Sequence, residues 1–246
     1  MALALGARVT LATSLSPGYD RSVLSGLEIF EIAADESPRY RNVYAADGSR
    51  QQHLDGTGSS LIDLPWHAVE ATDLLFVAPA YHEFAGIPPV PCSLVALEFQ
   101  GLLRQRLSDG LVQPVDDPVA ATAAFARPGA LAFFSDEDVQ AAGSFASVLA
   151  RFGLTVAVTH GHGGATLYRD GSSETFAAIP AAREVDPTGA GDCFATAFAV
   201  RYAETASLAA AMDFGLAAGS LSVEGAGIAG IPTRERIEER LERRAA

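Results

Sequence analysis

The residues best suited to chemistry lie in the stretch DPTGAGDCF, which runs from Asp186 to residue 194. Gly189, Ala190 and Gly191 have little or no side chain to cover their backbone amides, and a helix predicted over about 190–204 adds its positive end to them. Such a turn can bind an anion. Asp192 would repel an anion, so we interpret it as a base that takes a proton from a hydroxyl while the amides hold a phosphoryl group. The alternative is a tight turn with an acidic first helical turn.

Polar clusters follow four strand-like or hairpin segments, at the points where a parallel sheet presents its carboxyl ends. Ligands of such sheets bind outside those ends. Exposed amides suit phosphates and carboxylates suit Mg²⁺, so the pattern predicts a nucleotide cleft. The clusters lie at 98–101, 135–138, 160–164 and 186–192.

The elements that must position these residues alternate between strands and helices. Apolar runs at 73–78, 94–99, 130–134 and 155–159 predict buried parallel strands. Residues 165–177 read as a hairpin, and helices are predicted at 139–152, 190–204, 208–223 and from about 233. We therefore expect one α/β domain over 1–246, with a mostly parallel central sheet between two helical layers.

The segment 27–56 is more polar than its neighbours and predicts a small antiparallel sheet that stands off the main body. Residues 27–32 alternate apolar and charged side chains, and a second strand is expected over 40–45. Asp47-Gly48 then forms a hairpin turn before 51–53. An unpaired strand edge in this segment could pair with a second copy, so a homodimer is the expected assembly.

Composition excludes several classes of function. The 246 residues carry 17 basic and 30 acidic side chains, for a net charge of −13, and contain no long basic run. Nucleic acid and anionic membranes are therefore not expected partners. Two cysteines provide neither a disulfide framework nor a zinc site, which favours a reducing cytoplasm. We identify no signal peptide and no membrane span.

Three motifs together resemble those of the ribokinase-like, or PfkB-type, small-molecule kinases. They are VDPTGAGDCF from 185, VTHGHGG from 158 and AAGSLSVEGAG from 217. The resemblance covers most of the chain, and DxTGAGD is the specific C-terminal signature of that family. It implies a three-layer ribokinase-like fold with a β-lid at 27–56, and ATP-dependent phosphorylation of an alcohol on a sugar, polyol or nucleoside.

The same resemblance implies roles for individual residues. Asp192 would be the base, and Gly189, Ala190 and Gly191 would form the anion hole for the transferred phosphoryl. The ATP site would include Thr159, Gly161, Gly164, Asp186, Thr188 and Ala218, with Ala218 beside the adenine. Asp186 could position phosphate or metal, or could cap the turn. Asp138 stands where the family has a Glu that helps to organise Mg²⁺, and Ser135 stands where it has an Asn.

Two functions remain open from the sequence. Family members carry a strand and a Gly-Gly loop for the acceptor before the equivalent of 5–11, where this chain starts, so the acceptor is not identified. One function is an ATP- and Mg²⁺-dependent kinase of a small hydroxyl acceptor. The other is a non-catalytic descendant that binds a nucleotide or metabolite. A start codon farther upstream is a third explanation for the short N-terminus.

Several other polar side chains are interpreted as solvated or packed, although each has a functional alternative. The alternatives are zinc ligation, contact with the acceptor, a reactive thiol and a counter-charge for phosphate. Zinc ligation is the alternative for His160 and His162, and contact with the acceptor is the alternative for His82 and Glu83. A reactive thiol is the alternative for Cys193, and a counter-charge for phosphate is the alternative for Arg104 and Arg106.

Overall fold

The computed structural model describes residues 1–44 and 50–245. Strands in this part of the chain fall into one large sheet and three two-stranded sheets. In chain order they are β1 (Thr10–Leu15), β2 (Glu28–Ala33), β3 (Arg39–Tyr44), β4 (Arg50–Asp55), β5 (Thr72–Val77), β6 (Cys92–Glu98), β7 (Arg104–Arg106), β8 (Val112–Pro114), β9 (Leu131–Ser135), β10 (Thr155–Thr159), β11 (Ala165–Arg169) and β12 (Ser172–Phe176).

The helices of the described residues match the four that were predicted and add a short one. They are α1 (Pro118–Thr122), α2 (Ala142–Arg151), α3 (Ala190–Thr205), α4 (Leu208–Ser222) and α5 (Arg234–Ala245). In these same residues, no helix has the length and apolar character needed to cross a membrane.

The large sheet has the strand order β12-β11-β10-β9-β6-β5. Strands β5, β6, β9 and β10 are parallel, and β11 and β12 are antiparallel. The β11–β12 hairpin turns at Asp170 and Gly171, whose φ angles are 50° and 77°. Two consecutive positive φ angles suit an Asp-Gly hairpin turn. The predicted mostly parallel sheet and the predicted hairpin are both confirmed.

The core is divided into two apolar layers by the sheet, as β9 shows. Leu131 and Phe133 face the layer that contains α3 and α4, whereas Ala132 and Phe134 face the layer that contains α2. This alternation follows from the two-residue period of a strand, and burial on both faces explains the continuous apolar sequence. The architecture is therefore three-layered, as expected.

The polar segment at 27–56 divides between two sheets. Strands β3 and β4 form the expected antiparallel hairpin, while the predicted Asp47-Gly48 turn lies outside the described residues. Strand β2 corrects the prediction, because it pairs in parallel with β1 from Thr10↔Glu28 to Leu15↔Ala33. The alternation in β2 predicts a strand with one wet face, but it carries no information about the direction of its partner.

The β3–β4 hairpin, called the lid hairpin below, is fixed to a second hairpin formed by β7 and β8. The Leu54 N–H donates to Gly110 O at 2.9 Å, and Arg106 Nε donates to Leu54 O at 2.8 Å. Leu54 itself is 0% exposed. The β7–β8 hairpin was not predicted, since three-residue strands are too short to give a periodic signal.

The two ends of the chain are joined by Arg234, at the start of α5. Its Nε and Nη2 donate to Leu5 O at 3.1 and 2.9 Å, and its Nη1 donates to Glu204 Oε2 at 3.1 Å. Because Leu5 is buried and Glu204 lies near the end of α3, one guanidinium holds the N-terminal turn, α3 and α5 together.

We expect Arg234→Met to lower the free energy of unfolding by about 1–3 kcal/mol, since it leaves the buried Leu5 carbonyl without its donor and removes one of the two arginines that pair with Glu204. The matched control is Arg243→Met on the same helix, whose exposed pair with Glu239 should contribute less than about 0.5 kcal/mol. Urea denaturation measures both. Equal effects of the two substitutions would contradict the role of Arg234 as a clamp that holds the N-terminal turn, α3 and α5 together.

Candidate active site

The polar groups that follow β6, β9 and β10 meet the start of α3 at the carboxyl edge of the large sheet. A small cavity of about 30 Å³ lies between them. Its lining comprises Glu98, Gln100, Phe133, Phe134, Ser135, Asp138, Thr159, Gly191 and Phe194. The lining therefore brings together parts of three of the four clusters that the sequence placed at this edge, and Thr159 directly precedes the fourth.

The turn before α3 leaves backbone donors free for a ligand. Gly189 is the N-cap residue with φ 82°, a left-handed conformation that suits glycine. Within the described chain, the N–H groups of Gly189, Gly191 and Asp192 have no acceptor. Ala190 differs from the expectation, because its N–H donates to Pro187 O at 3.2 Å. The anion-binding donors are thus residues 189, 191 and 192 rather than 189–191.

Asp186 holds this turn in shape. Its Oδ1 accepts from the Thr188 N–H at 2.9 Å, and its Oδ2 accepts from the Gly227 N–H at 3.0 Å. Hydrogen bonds from Thr188 and then from Gly227 lower the pKa of the Asp186 carboxyl. Of the two roles left open by the sequence, the structure shows turn capping. Assignment of Asp186 and Thr188 to a nucleotide site remains a prediction.

Close packing of α4 against α3 sets the position of the turn. A Cβ on Gly219 would lie 3.3 Å from Ala190 O, and one on Gly215 would lie 3.1 Å from Phe194 O. Ala218, predicted to lie beside the adenine, is 0% exposed within this packed layer. Its position beside the adenine remains a prediction. Cys193 is also buried, and burial raises the pKa of its thiol, consistent with packing.

The carboxyl groups of Glu98 and Asp192 lie near each other at the start of α3. Glu98, the last residue of β6, is close enough to the Asp192 side chain for the two carboxyl groups to interact. Burial raises the pKa of Glu98 well above its ordinary value, and the nearby Asp192 and Asp138 carboxylates raise it further. Two such groups share a proton more readily than both ionise. The sequence placed Glu98 at a strand end, but it assigned no role to this residue.

Asp138 is 7% exposed, and the protein itself engages both of its oxygens. Oδ2 accepts from the Ser135 N–H at 2.8 Å. Oδ1 accepts from Gln100 Nε2 at 3.3 Å and lies 3.6 Å from Arg104 Nη2. Burial raises the pKa of Asp138, while the hydrogen bonds from Ser135 and Gln100 and the positive charge of Arg104 counteract the shift.

These contacts do not fit the prediction that Asp138 ligates Mg²⁺. Arg104 already provides a positive charge beside the carboxylate. Among the residues that the structure describes, no three His, Cys, Asp or Glu side chains are close enough to hold a metal ion. Asp138 is therefore reassigned as an anchor for the turn after β9 and for Arg104.

The loop after β10 is built around glycines and one histidine. Gly164 has φ 94°, and a Cβ there would lie 2.0 Å from Phe176 O, so only glycine fits. His160 is not simply solvated, since its Nδ1 donates to Asp136 at 2.7 Å and its Nε2 lies 2.9 Å from Thr166 Oγ1. His160 thereby joins the turns that follow β9 and β10. Thr159 lines the cavity, whereas Gly161 faces open space.

The other predicted histidines and acids have structural roles. His162 is exposed and lies 3.2 Å from Glu184, as expected for a solvated loop. Glu83 is buried and accepts from the N–H groups of Ala80 and Tyr81 at 3.1 and 2.8 Å, so it caps the loop after β5.

Arg104 occupies a more central position than the sequence indicated. Its side chain is 14% exposed, and its guanidinium lies 5.1 Å from the centre of the Tyr40 ring on the lid hairpin. Tyr40 Oη in turn donates to Ala80 O at 2.6 Å. Chain separation explains the omission, because Tyr40, Arg104 and Asp138 meet only in the folded protein.

Comparison with solved structures shows that the chain has the ribokinase fold. Solved structures of the ribokinase fold superpose on it. One is a ribokinase from Arabidopsis thaliana complexed with ribose and ATP, with TM-score 0.67 and 18% identity, covering 98% of this chain and 84% of that one. Another is a pyrophosphate-dependent kinase in the ribokinase family, complexed with a pyrophosphate analog and myo-inositol, with TM-score 0.74, 19% identity and coverage of 98% and 87%.

Sequence comparison identifies the family. The pfkB family of carbohydrate kinases matches residues 112–234, half of the chain, and the chain belongs to that family. Ribokinase of Bacillus subtilis (strain 168) is 39% identical over 99 residues, which are 40% of this chain. This match spans 33% of the length of that relative.

The Glu98–Asp192 pair predicts an unusual effect of pH on stability. Because the pKa of Glu98 is higher in the folded than in the unfolded chain, folded Glu98 keeps its proton longer, and stability falls as pH rises above the ordinary value of 4.5. Glu98→Gln should remove this loss of stability at high pH, because the carboxamide does not ionise. Its free energy of unfolding should equal that of wild type near pH 4 and exceed it at pH 8, by about 1.4 kcal/mol per unit of pKa shift.

Urea denaturation at several pH values measures this difference. Glu174→Gln, at an exposed position on β12, is the control and should follow wild type throughout. A Glu98→Gln protein less stable than wild type at pH 8 would contradict an unfavourable carboxylate pair.

Proposed function

We propose that this protein is an ATP-dependent kinase that phosphorylates an alcohol group of a sugar, polyol or nucleoside. The observation that carries the proposal is the position of Asp192. It lies at the positive end of α3, beside unpaired amides and a cavity at the carboxyl edge of the sheet. A carboxylate in an anion site serves no purpose in simple phosphate binding, but it serves phosphoryl transfer as a base.

In the proposed reaction, Asp192 accepts the proton of the acceptor hydroxyl. The hydroxyl oxygen forms a bond to the terminal phosphorus of ATP, and the bond between that phosphorus and the ADP oxygen breaks. The N–H groups of Gly189, Gly191 and Asp192 stabilise the charge on the phosphoryl oxygens during transfer. These donors are fixed by the α3–α4 packing, so little reorganisation is needed.

Glu98 has a complementary role in this scheme. In its protonated form it donates a hydrogen bond, either to Asp192 or to an oxygen of the acceptor. Asp192 then remains the proton acceptor of the pair. This division of labour between two carboxyl groups follows from their unequal surroundings, because Glu98 lies at the end of a buried strand.

The donor is proposed to be ATP, in line with the ATP in the Arabidopsis structure. Mg²⁺ is proposed to enter on the nucleotide phosphates, and no residue of this chain is assigned to it. Because the second solved structure is that of a pyrophosphate-dependent kinase, the assay also compares pyrophosphate with ATP as donor.

Two further predictions accompany this function. We propose a cytoplasmic location, and a homodimer through the lid hairpin. The outer edge of β3 supports the second, since β3 pairs only with β4 in the described residues.

Asp192→Asn should lower kcat by at least about 100-fold, because a carboxamide cannot accept the proton. The melting temperature should not fall, since the substitution removes a charge next to Glu98. Product formation from ATP with ribose, myo-inositol and adenosine as acceptors measures the effect. Asp170→Asn, in the exposed β11–β12 turn, is the control and should keep wild-type turnover.

Near-normal turnover of Asp192→Asn would overturn the assignment of the base. A wild-type protein that ATP stabilises against heat, but that forms no product with any acceptor, would instead favour the non-catalytic alternative. Turnover with pyrophosphate but not with ATP would replace the proposed donor and retain the mechanism.

A further inference from the structure

The ring of His160 lies at the carboxyl edge of the large sheet, where it joins three strands. Thr159, the last residue of β10, pairs with Ser135 of β9 in parallel register, so residues 160 and 136 leave the sheet side by side. His160 Nδ1 lies 2.7 Å from Asp136 Oδ2, and its Nε2 lies 2.9 Å from Thr166 Oγ1. One side chain therefore fixes the turn after β9, the loop after β10 and the start of β11 relative to one another.

The partners of the ring set the direction of each hydrogen bond. Because a carboxylate only accepts, His160 Nδ1 carries the proton that is donated to Asp136. In the neutral ring, Nε2 then accepts from the Thr166 hydroxyl, which in turn accepts from Thr175 Oγ1 at 3.1 Å. Thr166 is 7% exposed, so this end of the hydrogen-bond chain is largely shielded from water. Partners on both sides thereby select one ring tautomer.

The loop that His160 anchors is rich in glycine. Residues 161, 163 and 164 are glycines, and Gly161 and Gly164 have φ angles of 52° and 94°. Glycine has the largest conformational freedom to lose, so ordering such a loop carries a high entropic cost. His162 contributes a contact to Glu184, but its side chain is 93% exposed. His160 is thus the side chain of this loop that fixes it to the sheet.

This loop borders the cleft in which the phosphoryl donor is proposed to bind. Thr159, directly before the loop, lines the cavity together with Gly191 at the start of α3. The contact between His162 and Glu184, at 3.2 Å, places the loop beside the segment that leads into the α3 turn. Among the described residues, the N–H groups of Gly161 and His162 have no acceptor. The loop and the α3 turn thus present backbone donors on the same side of the sheet.

We propose that His160 is a positioning residue for the phosphoryl donor, and that it acts through Asp136 and Thr166. This rests on the proposed function for the presence of a donor, which is a compound with a diphosphate group such as ATP or pyrophosphate. His160 does not contact the reacting atoms. It holds the glycine-rich loop in the arrangement that binds the phosphates, so that less entropy is lost when the donor binds.

The first test measures donor binding without turnover. Calorimetric titration of wild-type protein with ATP and with pyrophosphate, in the presence of Mg²⁺, gives the reference affinities. For a donor that binds, His160→Ala should weaken the affinity by about 10-fold, since the loop must then be ordered on binding. His160→Asn, which keeps an N–H near the position of Nδ1, should recover part of the loss. His162→Ala, at the exposed position of the same loop, is the matched control and should bind within about twofold of wild type.

The second test separates positioning from simple electrostatics. Asp136 follows Ser135, which lines the cavity, so Asp136→Ala removes a negative charge from this side of the cleft. That change by itself would strengthen the binding of an anion. If Asp136 acts by orienting His160, the substitution should instead weaken donor binding, and its combination with His160→Ala should add little further loss. Stronger donor binding by Asp136→Ala, or fully additive losses, would overturn the proposal.

The outcomes separate this role from the proposed kinase activity. A His160→Ala protein with wild-type donor affinity, or a His162→Ala protein with an equal loss, would refute the positioning role. If circular dichroism shows that His160→Ala is not folded, His160→Asn and Asp136→Ala provide the same comparison. If donor binding responds as expected but no acceptor is phosphorylated, the kinase activity fails while the role of His160 stands. Wild-type protein that binds neither ATP nor pyrophosphate would overturn both.

Discussion

The close approach of two carboxyl groups, Glu98 and Asp192, constrains the rest of the structure. Glu98 is brought to the cleft by a buried strand, and Asp192 by the first turn of α3. Burial and the neighbouring Asp192 raise the pKa of Glu98, whereas the charge of the Arg104 guanidinium lowers it. The glycines of α4 serve the same arrangement, because larger residues there would displace the start of α3.

A second set of contacts builds the opposite wall of the cleft. The lid hairpin rests on the β7–β8 hairpin through Leu54, and it reaches the sheet through Tyr40. Arg104 links these elements to Asp138 and so to the turn after β9. This wall is therefore made of short elements held by polar contacts, whereas helix packing in the core holds the turn before α3.

The packed layers of the core offset the energetic cost of the carboxylates in the cleft. A partly buried site that gathers three carboxylates is unfavourable for folding, and it persists because the layers on both sides of the sheet overdetermine its position. The apolar residues of β9 contribute to both layers. Contacts far from the cleft, such as the Arg234 clamp between the chain ends, support the same helices that present Asp192.

Local sequence determined the strands, the longer helices and the turn around Asp192, because periodicity and glycine spacing are properties of neighbouring residues. It could not determine that β2 pairs with β1, that Ala218 is enclosed by packing, or that the Ala190 N–H is already bonded. Nor could it show that Arg104 faces Asp138. Those features depend on groups distant in the chain, and only the tertiary structure sets their distances, burial and charge.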